Sequence, residues 1–207
     1  MLNDITILTS ACGAPTTPGK LQCYRNNGER NIRIVGVDMS DDPTNKYIVD
    51  KYYQVPAVTD SRYIDIILEI CKRERVNIYF PNISAEVSLV VERINDFKEA
   101  GVIVSTSNLE SVNIANNKLQ TYKLLEEAGI PVPKYYGVHS VDDFINGCRY
   151  MGYPEKPVCI KIVNGSGSRG VRIIDANKSR YQIFAHEKPN SFYASYEDMI
   201  SILSEPE

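Results

Sequence analysis

The sequence predicts an α/β protein: a parallel sheet domain of Rossmann-like type, followed by a small α/β subdomain. Three observations carry this expectation. Short apolar runs alternate with segments of helical period over about the first 100 residues, the pattern of βαβ units with right-handed crossovers. A polar cluster rich in capping residues, Ser105-Thr106-Ser107-Asn108, then interrupts the pattern. Beyond it, an apolar run carrying Lys161 leads through a Gly/Ser/Arg loop into a second apolar run. The expected domains are therefore residues 1–105 and 106–207.

In order along the chain, Ile5-Thr6-Ile7-Leu8 reads as a short buried-type strand. The segment after it resembles a phosphate-binding P-loop only at first sight. Five residues separate Gly13 from Gly19-Lys20, one too many, and Leu21 stands where a metal-binding Ser or Thr belongs. Pro15 and Pro18 delete two N–H donors, and the Gly-x-Gly-x-x-Gly fingerprint is absent. An ordinary strand-to-helix loop at the carboxyl edge of a sheet remains, in a position to face a substrate.

A helix from residue 21 to about 27 stops at Gly28, and Ile32-Arg33-Ile34-Val35-Gly36-Val37-Asp38 is the second strand. Asp38 occupies the place of the ribose-binding acid in dinucleotide domains; without the glycine fingerprint it reads as a strand-ending loop aspartate. Tyr52-Tyr53-Gln54-Val55 is a strand stopped by Pro56. Tyr63, Ile66, Ile67 and Ile70 recur at helical spacing, so residues 61–74 form an amphipathic helix. Asn77-Ile78-Tyr79-Phe80-Pro81 is strand-like, residues 86–100 read as one helix closed by Gly101, and Val102-Ile103-Val104 is the last strand. In the second part, Asn116-Asn117-Lys118 opens a helix that Gly129 and Pro131 end. Ser140 caps a helix over 141–151 ended by Gly152, and another helix is expected over 196–203.

Residues 157–174 hold most of the chemistry. Lys161 interrupts the β-formers Val158, Cys159, Ile160, Ile162 and Val163, and strand alternation places it on the face opposite Ile160 and Ile162. The loop Gly165-Ser166-Gly167-Ser168-Arg169-Gly170 permits positive φ and a close approach of backbone to ligand. Its N–H groups and hydroxyls are donors, and its arginine can fork onto phosphate oxygens. These features suggest a flap closing over nucleotide phosphates with Lys161 beneath it. A plain β-hairpin is the competing reading, but it needs only two turn residues and neither cation.

Composition narrows the classes. The 207 residues are 43% hydrophobic and 24% charged, with a formal net charge of −3. That usage fits an ordinary globular chain, and the absence of a basic surplus argues against nucleic acid as a partner. No apolar run approaches the ~18 residues of a spanning helix and no leader pattern opens the chain, so no membrane partner is expected. Cys12, Cys23, Cys71, Cys148 and Cys159 are widely spaced with no Cys-x-x-Cys, which reads as reduced thiols and a cytoplasmic location. With only His139 and His186, a histidine-rich metal site is excluded.

The order of Asn116-Asn117-Lys118, then Ala128-Gly129-Ile130-Pro131-Val132-Pro133, then residues 157–170 resembles the ATP-grasp superfamily. It is most similar to the large subunit of carbamoyl-phosphate synthase and to biotin carboxylase. The resemblance implies a Rossmann-like domain followed by a subdomain whose sheet covers ATP. It implies that Lys118 and Lys161 contact ATP phosphates and that Gly165, Ser166, Gly167, Ser168, Arg169 and Gly170 form the closing loop. It also suggests, more weakly, that Glu86 lies near the second substrate. The implied function is that of an ATP-dependent ligase activating a carboxylate or bicarbonate as an acyl phosphate for attack by an amine or ammonia. The chain departs from the family in lacking the acidic hinge strand and the Glu-x-Asn-x-Arg motif that holds magnesium. The expectation is therefore the N-terminal portion of a longer ligase, inactive alone, with no catalytic residue of its own and with magnesium ligands beyond residue 207. A non-catalytic nucleotide-sensing module is the alternative, and a homodimer is compatible with either.

Overall fold

The computed structural model describes residues 2–165 and 167–205, so Ser166 of the loop lies outside the described residues. The chain forms two compact units, residues 1–113 and 114–207.

The first unit contains five strands: β1 (Ile5–Thr9), β2 (Ile32–Asp38), β3 (Lys51–Gln54), β4 (Ile78–Phe80) and β5 (Ile103–Val104). They pair in the order β3-β2-β1-β4-β5, every pairing parallel. Strand alternation splits its core into two layers. Ile7 and Ile34 face one side with Leu21 of α1 (Thr17–Arg25). Leu8, Val35 and Tyr79 face the other, against Ile64, Ile67, Leu68 and Cys71 of α2 (Tyr63–Glu74), Val90 of α3 (Ser84–Glu92) and Phe97 of α4 (Ile94–Glu99).

The single helix expected over 86–100 is thus two. The backbone leaves the helical region at Arg93 (φ −106°, ψ 20°), whose guanidinium bridges Asp65 of α2 and Asp96 of α4. A 3-10 turn at Thr44–Ile48 was also absent from the sequence pattern. Helix α5 (Leu109–Asn116) follows β5.

In the second unit, α6 (Lys118–Glu127) and α7 (Val141–Met151) precede a two-stranded antiparallel sheet, β6 (Val158–Ile160) and β7 (Arg172–Ile174). Ser140 accepts the Asp143 N–H at 3.0 Å to start α7, and Gly152 ends it at φ +97°. Helices α8 (Arg180–His186) and α9 (Tyr196–Leu203) complete the unit. Phe144 and Cys148 of α7, Val158 and Ile174 of the sheet, and Met199 of α9 form its core. The segment after α8 runs beside β7, where Ile173 N–H donates to Phe192 O and Ile173 O accepts from Ala194 N–H. Among the described residues no helix is long and apolar enough to cross a membrane.

Candidate functional site

Lys118 is the first residue of α6, and the Asn117 side chain fixes that start by accepting the Gln120 N–H at 2.9 Å. The Lys118 N–H donates to Val163 O at 3.2 Å. Its ammonium donates to Gly165 O at 2.7 Å and Val163 O at 3.3 Å. The start of the helix and the entry of the glycine loop, far apart in sequence, therefore meet through one cation.

Past this entry the loop curls. Gly167, Ser168 and Gly170 all have left-handed backbone, at φ +63°, +60° and +68°. The Ile162 N–H donates to Gly170 O, closing the loop just beyond the paired strands. A Cβ on Gly170 would lie 2.1 Å from Ile162 Cδ1, so conformation and space both require glycine there. A Cβ on Gly165 would meet nothing nearer than 3.5 Å, so that glycine leaves an open face. Arg169 is exposed, with its guanidinium folded beside Gly167.

Lys161 corrects the strand expectation. The β6–β7 ladder ends at the Ile160–Arg172 pair, so Lys161 follows the strand rather than interrupting it. It is exposed, and among the described residues its ammonium has no hydrogen-bond or ion-pair partner. Ile162, expected to share a strand face with Ile160, is 54% exposed for the same reason: the chain has already left the sheet. Ser166 falls outside the described residues.

Glu86, expected near the second substrate, is held inside the first unit. It is fully buried, and its carboxylate accepts five hydrogen bonds. Ser10 Oγ donates to Oε2 at 2.5 Å, joined by the N–H groups of Asn82 (3.1 Å) and Ile83 (3.3 Å). The hydroxyls of Tyr63 (2.5 Å) and Tyr79 donate to Oε1. A carboxylate with no accessible surface and five donors on it ties β1, α2, β4 and α3 together. Burial, and then the Glu86 charge, push the Tyr63 and Tyr79 phenols well above their usual range, so both remain donors.

Asp38 behaves as a loop aspartate: it accepts the Gly13 N–H at 2.7 Å and the Ser40 N–H at 3.1 Å. Sequence reasoning missed Asn82 and Lys20. The two N–H of the Asn82 amide are shared among Thr9 Oγ1, Ser10 O and Phe80 O, all within hydrogen-bond distance, and its oxygen accepts the Lys20 ammonium at 2.9 Å. The available signal was the Pro81-Asn82 pair closing the fourth strand, and Lys20 was set aside together with the failed P-loop. Among the described residues no three His, Cys, Asp or Glu side chains gather as a metal site.

A parallel sheet of order 3-2-1-4-5 and a glycine-looped hairpin unit define the class of fold. Residues 7–105 match the family described as PylC-like, N-terminal domain, and residues 115–197 match the ATP-grasp domain. Residues 115–197 thus resemble an ATP-grasp domain, and carbamoyl-phosphate synthases are among the proteins to which the chain is similar. It is 24% identical over 181 residues to a carbamoyl-phosphate synthase of Methanobrevibacter smithii, covering 84% of this chain and 47% of that protein. Over 115 residues it is 28% identical to a formate-dependent phosphoribosylglycinamide formyltransferase of Ignicoccus hospitalis, covering 51% of this chain and 28% of that protein. The biotin carboxylase domain of Hydrogenobacter thermophilus 2-oxoglutarate carboxylase, solved as a dimer with MgADP, ADP and bicarbonate, shares the fold. The TM-score is 0.57 at 15% identity, covering 81% of this chain and 37% of that one. The chain thus spans about half or less of the length of these relatives.

Proposed function

We propose that this chain is the Rossmann-like and nucleotide-lid part of an ATP-dependent ATP-grasp ligase. The ligase activates a carboxylate or bicarbonate as an acyl phosphate, which an amine or ammonia then attacks. One observation carries the reading furthest: the Lys118 ammonium lies on the Gly165 carbonyl, so the cation of the helix start and the glycine loop form one structure. In this reading the Lys118, Lys161 and Arg169 cations bind nucleotide phosphates. The left-handed turns at Gly167, Ser168 and Gly170 present loop donors to them, and Gly165 lines the approach; Ser166 lies outside the described residues.

The lid's work is electrostatic and positional. Fixed cations stabilise charge on the transferring phosphoryl group, and loop closure excludes water. Magnesium bound with ATP would supply further charge neutralisation; the proposal places its protein ligands outside residues 1–207.

In the intact protein, Lys161→Ala should abolish ATP turnover, and retained turnover overturns the assignment. Calorimetry on residues 1–207 separates the ligase from a sensing module, since tight, magnesium-independent ATP binding by this chain alone would identify a sensor.

A further inference from the structure

Grouped large apolar side chains in water mark surfaces that another molecule covers. Among the described residues, the four most exposed of them fall in two places. Tyr181 and Phe184, 73% and 85% exposed, stand one turn apart on α8, a helix with no buried residue. Met39 and Tyr47, 68% and 75% exposed, lie in the segment between β2 and β3. That segment is held in place, because the Tyr47 hydroxyl donates to Asp42 Oδ1 at 3.2 Å and the Gln54 amide donates to Met39 O at 3.1 Å.

The two places carry opposite charge. Residues 38–48 hold three acids, Asp38, Asp41 and Asp42, against the single base Lys46. Residues 178–188 hold three strong bases, Lys178, Arg180 and Lys188, against the single acid Glu187. Part of this charge is answered locally: Asp42 by Lys46 at 2.5 Å, Lys178 by Glu187, and Arg180 by Asp198 of α9 at 3.0 Å. Asp41 and Lys188 are exposed, and among the described residues their side chains have no hydrogen-bond or ion-pair partner. Pairing either place with its own copy would bring like charges together, at a cost. Pairing one with the other joins two apolar centres and gives each unpaired charge its opposite.

We propose that the aromatic face of α8 on one copy of this chain docks on the Met39–Tyr47 surface of a second copy. Tyr181 and Phe184 meet Met39 and Tyr47 at the centre, where each aromatic ring buries about 150–250 Å2, and Lys188 meets Asp41 at the polar rim. The contact is heterologous: it closes when two copies engage each other mutually, and otherwise extends through further copies. It is independent of the nucleotide reading, since it uses neither Lys118 nor residues 161–170.

The test is sedimentation of the 207-residue chain over a concentration series, at low and at high salt. Mass should rise with concentration, and less steeply at high salt, which screens the rim pair. Phe184→Ser and Tyr47→Ser should each weaken association by about tenfold or more, as loss of a central aromatic anchor does. Mixed together, these two variants should form a heterodimer, because each keeps the surface that the other has lost. Asp41→Lys and Lys188→Asp should each weaken association, and the double variant should restore it. A chain that stays monomeric overturns the proposal, whether or not anionic vesicles recruit it. Association untouched by Phe184→Ser also overturns it, as does association untouched by Tyr47→Ser, which would assign α8 to a different surface.

Discussion

Glu86 shows how a single residue's surroundings decide its role. Its carboxylate is the common acceptor for Ser10, Tyr63, Tyr79 and two main-chain N–H groups. Glu86→Gln puts an NH2 donor among donors, so at least one buried partner loses its acceptor. Leaving one buried donor of such a network unsatisfied typically costs about 1–3 kcal/mol. The urea midpoint of the first unit should therefore fall substantially, and an unchanged midpoint would contradict the network. The motif position suggested a substrate contact because the sequence shows where an acid stands along the chain, not which hydroxyls surround it.

Lys161 gives the complementary case. Its place beside the glycine loop was legible from order alone, but the end of the strand was not. Five β-formers flanking Lys161 over residues 158–163 looked like a strand, yet pairing stops after Ile160 because the partner strand begins only at Arg172. A strand is as long as its partner allows, and the partner is not local in sequence.

Among the elements, the glycine loop makes the sharpest prediction. Gly170 has φ +68° and would place a Cβ 2.1 Å from Ile162 Cδ1. Gly170→Ala should therefore combine backbone strain with overlap, each of order 1–3 kcal/mol, partly relieved because the loop is exposed. The expected signature is faster hydrogen exchange across 161–171 with the α7 amides unchanged. Equal exchange in variant and wild type would remove the claim that glycine is required there. The helices with clear punctuation were readable: Ser140 and Gly152 bracket α7, and Gly129, at φ +71°, lets the Ile130 N–H reach back to Leu125 O. The break at Arg93 was not readable, because a bridge to Asp65 of another helix contributes to it.

For the whole molecule, buried titratable groups set a pH limit. The Cys12 and Cys71 thiols are raised by burial from 9.0 to about 11 and about 12, and burial also raises the Tyr63 and Tyr79 phenols well above their usual range. Above pH 9 the unfolded chain loses protons that the folded chain keeps, so stability is fully present below pH 9 and declines as pH rises toward 12. Denaturation midpoints measured from pH 8 to pH 11 should fall steadily, while a flat profile would show that these groups are not protected. Alkylation near pH 8 should correspondingly mark the exposed Cys23 and Cys159 well before Cys12, Cys71 and Cys148.

Periodicity and punctuation, both properties of neighbouring residues, were enough for the sequence to determine the alternation of strands and helices, the caps, and the ordered motifs of an ATP-grasp chain. Tertiary structure decided where β6 ends, that Glu86 is a buried tie, that Lys118 grips the loop entry, and that Lys20 and Asn82 meet at the sheet edge. Each of those outcomes depends on partners brought together by burial and strand pairing across dozens of residues, which local spacing does not encode.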